Sequence, residues 1–121
     1  MERTRFIEHN GRRIVLVDLS GLGKEEESLA EIEKARRFFA TQQPNGSLLT
    51  VTDGTGAHYT SRIMDALKKL AAHNKPYVKA ACAVTDTRLH RVVITAVAIF
   101  TGRHLPVFAT REEGLRWLDG Q

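Results

Sequence analysis

The chain has 121 residues, 42% of them hydrophobic and 26% charged, ordinary values for one globular domain long enough to bury a core without disulfides or metal. Its formal net charge is +4, but the basic residues are scattered (Arg12 and Arg13, Arg36 and Arg37, Lys68 and Lys69, Arg88 and Arg91) with no clustered run or reading motif, which excludes dedicated nucleic-acid binding. No stretch approaches the ~20 apolar residues that span a bilayer, so no transmembrane segment is expected.

The first elements form a hairpin. Phe6 to Glu8 and Arg13 to Asp18 flank Asn10-Gly11, a pair suited to a turn whose two central residues need positive φ. Ser20-Gly21-Leu22-Gly23 breaks the chain. Lys24 to Thr41 reads as a helix with Leu29, Ile32, Ala35 and Phe39 on one stripe, and Glu25, Glu26 and Glu27 suit the positive end of its dipole. After the turn Gln43-Pro44-Asn45-Gly46, Ser47 to Thr52 is a strand. Tyr59 to Asn74 is a second helix with Ile63, Leu67, Leu70 and Ala71 inward, ended by Asn74-Lys75-Pro76 because the residue before proline is pushed out of helical space.

Tyr77 to Val84 is the next strand. Arg88 to Thr101 is rich in β-branched residues over Arg91 to Phe100, yet its length and flanks favour a third helix over a strand. Gly102 closes it, and Leu105 to Phe108 is a short strand. Thr110-Arg111-Glu112-Glu113 is a capping box that opens a last helix, Arg111 to Leu118, with Leu115 and Leu118 inward. The order ββαβαβαβα over residues 1–121 predicts a single α/β domain: a mixed, mostly parallel sheet of about five strands covered by four helices.

Three strands run into an aspartate followed by small residues: Asp18-Leu19-Ser20-Gly21, Asp53-Gly54-Thr55-Gly56 and Asp86-Thr87. In an open α/β sheet these tips gather at the carboxyl ends of the strands, where ligands bind. The loop of Asp53, Gly54, Thr55, Gly56 and His58 would offer backbone N–H groups and a helix dipole to a phosphate or carboxylate, and phosphorylated Thr55 would add negative charge there. A capping oxygen from Asp53 or Thr55 explains the same residues without a ligand. Asp18, Asp53 and Asp86 could converge on magnesium, although turn chemistry favours aspartate at such sites in any case, and no metal is expected. Gly54-Thr55-Gly56 lacks the lysine of a P-loop, the five histidines have no zinc spacing, and Gly-x-Ser-x-Gly is absent. His58 with Asp53 is the one acid–base pair available. Neither catalysis nor a cofactor is expected.

The third helix is apolar around most of its circumference, where a surface helix should show one stripe. Val93, Ile94, Val97, Ile99 and Phe100 are therefore the expected interaction surface, for a second copy, another protein or a lipid. An enclosed core segment is the alternative. Cys82, the single cysteine, sits in an apolar run and reads as a buried thiol, consistent with a cytoplasmic protein. Met1-Glu2-Arg3-Thr4-Arg5-Phe6 lacks the apolar core of a signal peptide.

The hairpin leading into Ile14-Val15-Leu16-Val17-Asp18-Leu19-Ser20-Gly21, the strand Leu48-Leu49-Thr50-Val51-Thr52-Asp53 entering a helix, and Gly102-Arg103-His104-Leu105-Pro106-Val107-Phe108 followed by Glu112-Glu113-Gly114-Leu115-Arg116-Trp117-Leu118 together resemble the STAS/SEC14 group, in particular the SpoIIAA-like proteins. That resemblance implies a non-enzymatic regulatory or protein-interaction module, similar to anti-sigma-factor antagonists, with a protein partner, and the apolar third helix makes a homodimer the expected state. Those antagonists switch through a serine in Asp-Ser-Ser-Gly. Here Asp53-Gly54-Thr55-Gly56 stands in its place, with Thr55 the nearest hydroxyl. The SEC14 side implies a different function, a small carrier holding an apolar or anionic ligand between the third helix and the sheet.

Overall fold

The computed structural model describes the backbone of residues 1–121 and all side chains except that of Phe100. The protein is an α/β structure in which β1 (Thr4–His9) and β2 (Arg12–Asp18) form an antiparallel hairpin, and β3 (Leu48–Asp53), β4 (Val78–Val84) and β5 (Val107–Phe108) add in parallel, giving the order β1-β2-β3-β4-β5. Asn10 and Gly11 take φ of 51° and 78°, the left-handed pair that a two-residue hairpin turn demands.

Each strand after β1 is followed by a helix: α1 (Glu25–Ala40) after β2, α2 (Ser61–Asn74) after β3, α3 (Arg88–Thr101) after β4 and α4 (Arg111–Asp119) after β5. Parallel crossovers are right-handed, so three successive steps in one direction along the sheet put α1, α2 and α3 on the same face. The strand pleat agrees. Val15 and Val17 join Ile32, Ala35, Phe39, Ile63 and Leu70 in one core, while Ile14, Leu16, Leu49, Val51, Cys82 and Val84 join Leu118 of α4 in the other. Gly114 brings α4 down onto the sheet, since a Cβ there would stand 3.2 Å from the Cys82 sulfur.

The segment from Arg88 is helical through Thr101, with Thr87 accepting from the His90 N–H at its start and Gly102 in the left-handed conformation (φ 66°) at its end. These two caps decide what the β-branched run left ambiguous. The second helix starts at Ser61, two residues later than the sequence pattern suggests, because the Thr60 hydroxyl accepts from the Ile63 N–H and fixes the first turn there. A single 3-10 turn, Lys75–Tyr77, links α2 to β4 around Pro76. The Thr110 cap forms as expected, with the Glu113 N–H donating to its hydroxyl at 3.2 Å, while Glu113 reaches back to that hydroxyl at 3.1 Å in place of the Thr110 N–H.

Candidate functional site

The three acidic tips lie on one rim of the sheet, stitched together by backbone hydrogen bonds. The Leu19 N–H donates to the Asp53 carbonyl, the Gly21 N–H to the Thr55 carbonyl and the Gly54 N–H to the Val84 carbonyl, each at 2.8 Å. A cation already sits among the carboxylates. Arg111, at the first turn of α4, donates from Nε (2.9 Å) to the Asp53 carboxylate, its Nη2 lies 2.8 Å from the same oxygen, and it reaches Asp18 at 3.5 Å. Asp18 also accepts from the Ser20 N–H and hydroxyl and pairs with Arg3 at 3.8 Å. Burial raises the Asp18 pKa, but Ser20 and the two arginines outweigh it and hold the carboxyl below its usual range. Among the described residues no group of three or more metal-ligating side chains converges.

The loop from Asp53 to His58 is closed by its own bonds. The Thr55 N–H donates to the Asp53 carboxylate at 2.9 Å, the Gly56 N–H faces Asp86 at 3.5 Å, the Ala57 N–H donates to the Gly54 carbonyl and the His58 N–H to the Leu22 carbonyl. With Gly54 bonded to Val84, every N–H from 54 to 58 has an acceptor within the protein. The loop does not open α2, and neither Asp53 nor Thr55 caps it; Thr60 does. Gly56 is left-handed (φ 68°), and Gly54 leaves room for the Tyr59 hydroxyl. Asp53 is buried against Arg111, whereas the His58 side chain is exposed.

The residues of the expected interaction helix divide between two faces. Ile94 and Val97 are buried toward the sheet, Val93 is half-buried, and Ile99 is 78% exposed together with Leu89 at 71% and Val92 at 65%. Phe100 lies outside the described side chains. The outer face of α3 is therefore apolar, as its composition suggested, but through Leu89, Val92 and Ile99, with Ile94 and Val97 serving the interior.

Beneath α2 and α3 lies a cavity of about 70 Å³. Its floor is Thr50 and Thr52 of β3 with Ala81 and Ala83 of β4, and its roof is Leu67 and Leu70 of α2 and Ile94 and Val97 of α3. The cavity lies where β4 places only the alanine methyls of Ala81 and Ala83, whereas β2, on the other side of β3, has Val15 and Val17 at the same level. Tyr59 closes the end nearest the rim, and Asn74 and Arg103 stand at the opposite end, beneath the C-terminus of α2. The Tyr59 ring meets His90 edge-on at 4.0 Å between centroids. Burial, with the charges of Asp53 and Asp86, pushes its hydroxyl pKa up to about 12.

Several donors on the cavity wall have no acceptor within the protein among the described residues. Among the described residues nothing hydrogen-bonds the hydroxyls of Thr50, which is 5% exposed, or Thr52. The buried Asn74 uses its carbonyl oxygen against His73 Nδ1 at 2.8 Å, leaving its NH2 without an acceptor. Arg103 donates from Nη1 to the Ala71 carbonyl at 3.0 Å and has no carboxylate within 4 Å among the described residues. Burial lowers its pKa, although a guanidinium stays charged at neutral pH. It also borders an open groove with Ile99, Gly102 and His104, so it stands between the cavity and the surface.

Sequence reasoning passed over Arg103, Arg111 and Thr50. Thr50 carried a usable signal, a hydroxyl on the inward face of a central strand, where Val or Ile is the ordinary choice. What the fold and the site define is an α/β domain with a mixed five-stranded sheet, four helices and a mostly apolar, partly open cavity on the three-helix face. No family model, no curated protein and no solved structure matches the chain. Among the described residues no helix is long and apolar enough to cross a membrane.

Proposed function

We propose that this chain is a non-enzymatic, STAS-like cytoplasmic binding domain that carries a small, largely apolar ligand between α3 and the sheet. The cavity supports this reading. Protein interiors are packed to crystal density, with few voids larger than a water molecule. A void costs stability through the contacts its lining loses. A ligand with an apolar body would restore those contacts, and an accepting group on it would engage the donors on the cavity wall. The hairpin followed by parallel strands in sequential order supports the STAS/SEC14 assignment, although it does not distinguish a carrier from a regulator.

The test is an NMR titration of the ¹⁵N-labelled chain with 1-butanol. Saturable shifts at Thr50, Ala81, Ala83, Ile94 and Val97 are the expected result. Shifts confined to the outer face of α3, or none, would remove the carrier reading. Replacing Ala83 with Phe should fill the void and abolish the response.

A second reading, a regulatory module that binds a protein or a second copy of itself, is supported by the outer face of α3. Leu89, Val92 and Ile99 present three large apolar side chains on one helix, with Arg88 and Arg91 exposed beside them, and such a patch is unusual on a surface with no partner. Light scattering of the wild type and of Ile99→Asp examines the homodimer directly. A wild-type dimer that the substitution weakens supports it, and a monomer in both cases rules that form of the reading out.

A further inference from the structure

We infer that the ligand of this cavity is a short-chain carboxylic acid bound as its anion, with the carboxylate held by Arg103 and the chain lying against Ala81, Ala83, Ile94 and Val97. The inference rests on the carrier reading and names the chemistry of what is carried. Its first support is charge. No acidic side chain lines the cavity, and Arg103 is its one ionised group. The guanidinium is half-buried, and its one bond within the protein is to a backbone carbonyl at the last turn of α2. A guanidinium presents five N–H donors in a fixed fork that matches a carboxylate. One bond to Ala71 leaves most of that fork free.

The second support is the set of donors around it. Asn74 lies one turn beyond Ala71 on the same helix, so its free NH2 is at the same end of the cavity as Arg103. The Thr50 hydroxyl, which has no partner among the described residues, lies on the floor. All three groups can donate, and none is engaged by a carboxylate of the protein. A neutral hydrocarbon would leave them as they are. A ligand bearing two acceptor oxygens would satisfy them.

Size sets the chain length. An engineered cavity of about 150 Å³ accepts benzene, a ligand of six non-hydrogen atoms. The 70 Å³ here is about half of that and admits roughly three non-hydrogen atoms. That count corresponds to the propyl chain of butyrate, with the carboxylate beyond it at Arg103, where the cavity meets the surface groove.

The experiment compares sodium butyrate with 1-butanol, its uncharged counterpart, in NMR titrations of the full chain at constant ionic strength. Butyrate should move the Thr50, Ala81, Ala83 and Val97 amides with a Kd at least tenfold below that of 1-butanol. In Arg103→Gln that preference should vanish while 1-butanol binds as before. Should Arg103→Gln fail to fold, Thr50→Val serves instead, and it should weaken butyrate several-fold without weakening 1-butanol. Equal affinity for the two compounds in the wild type overturns the anion assignment and leaves the carrier reading standing. Unchanged butyrate binding in both variants also overturns it, reducing Arg103 to a cap on the α2 carbonyls. If neither compound enters the cavity, the carrier reading falls as well.

Discussion

Replacing Arg111 with Met removes the cation shared by Asp53 and Asp18 while keeping most of the side chain's length. The Asp53 carboxylate is 6% exposed and the Arg111 side chain 35%. Breaking a buried ion pair from one side costs about 3–5 kcal/mol, because the remaining charge is left without compensation. Solvent reaches the arginine here, so a smaller loss of about 2–3 kcal/mol is expected. Unfolding entropy near 2.1 cal/mol/K per residue gives about 0.25 kcal/mol/K for a chain of this length, and the loss corresponds to a fall in Tm of roughly 8–12 °C. Thermal unfolding followed by circular dichroism at pH 7, with urea titration alongside, measures it. Asp53→Asn added to Arg111→Met should recover at least half the loss, because asparagine still accepts from the Thr55 N–H without the stranded charge. A loss under about 1 kcal/mol, or a double variant no better than the single one, would refute the reasoning.

Two pH windows follow from the shifted groups. Burial is the main reason the His90 pKa is lowered, with Asp86 acting against it and His58 with it. The folded state therefore binds a proton less readily than the unfolded one, and stability present above pH 6.5 declines as pH falls below it. His90→Phe, which keeps the ring against Tyr59, should flatten Tm between pH 7.5 and 5.5, and an unchanged slope counts against the assignment. Asp18 works in the acid range. Its folded pKa lies below 3.8, so its contribution is complete above that value and disappears as pH falls through the folded pKa, and Asp18→Asn should remove this part of the acid sensitivity. Cys82 is buried, and burial raises its pKa to about 12. A thiol reagent at pH 8 should leave it unmodified in the folded protein and label it in urea, whereas rapid labelling without urea would contradict its burial. Thr55→Glu places a third carboxylate near Asp53 and Asp86 on a loop whose N–H groups are all engaged. A loss of about 1 kcal/mol is expected, and a gain would show that the loop accommodates negative charge.

Much of the architecture was legible because local signals agreed with one another. Asn10-Gly11 specified the hairpin, the apolar stripe Ile32-Ala35-Phe39 specified the inward face of α1, and Thr110 with Glu113 specified where α4 begins. The rim was legible too, since strand-terminal aspartates in an α/β order have one edge to occupy. The pairing within it was not. Arg111 lies 58 residues from Asp53, and no spacing rule connects the start of the last helix to a turn in the middle of the chain. The loop of Asp53, Gly54, Thr55, Gly56 and His58 was read as a cradle because glycines and hydroxyls leave N–H groups free in sequence. Whether acceptors from Leu22, Val84 and Asp86 reach them is decided by tertiary contacts.

The third helix divides along the same line. Its composition announced that one apolar face lacked company in the chain, but which residues belonged to it depended on the rotation of the helix over the sheet. That rotation sent Ile94 and Val97 inward and Ile99 outward. The cavity was illegible for a different reason. It is a deficit of volume, created where Ala81 and Ala83 meet helices set at the height that Val15 and Val17 require. Arg103 follows Gly102 as an unremarkable loop residue in sequence, and only the packing of α2 against the end of α3 makes it the charged wall of an apolar space.

The cavity is tested most directly by a crystal structure of the protein pressurised with xenon. The account predicts one ordered xenon between Ala81, Ala83, Ile94 and Val97. Side chains closed over an empty floor, with xenon only beside Ile99 or nowhere, would contradict it.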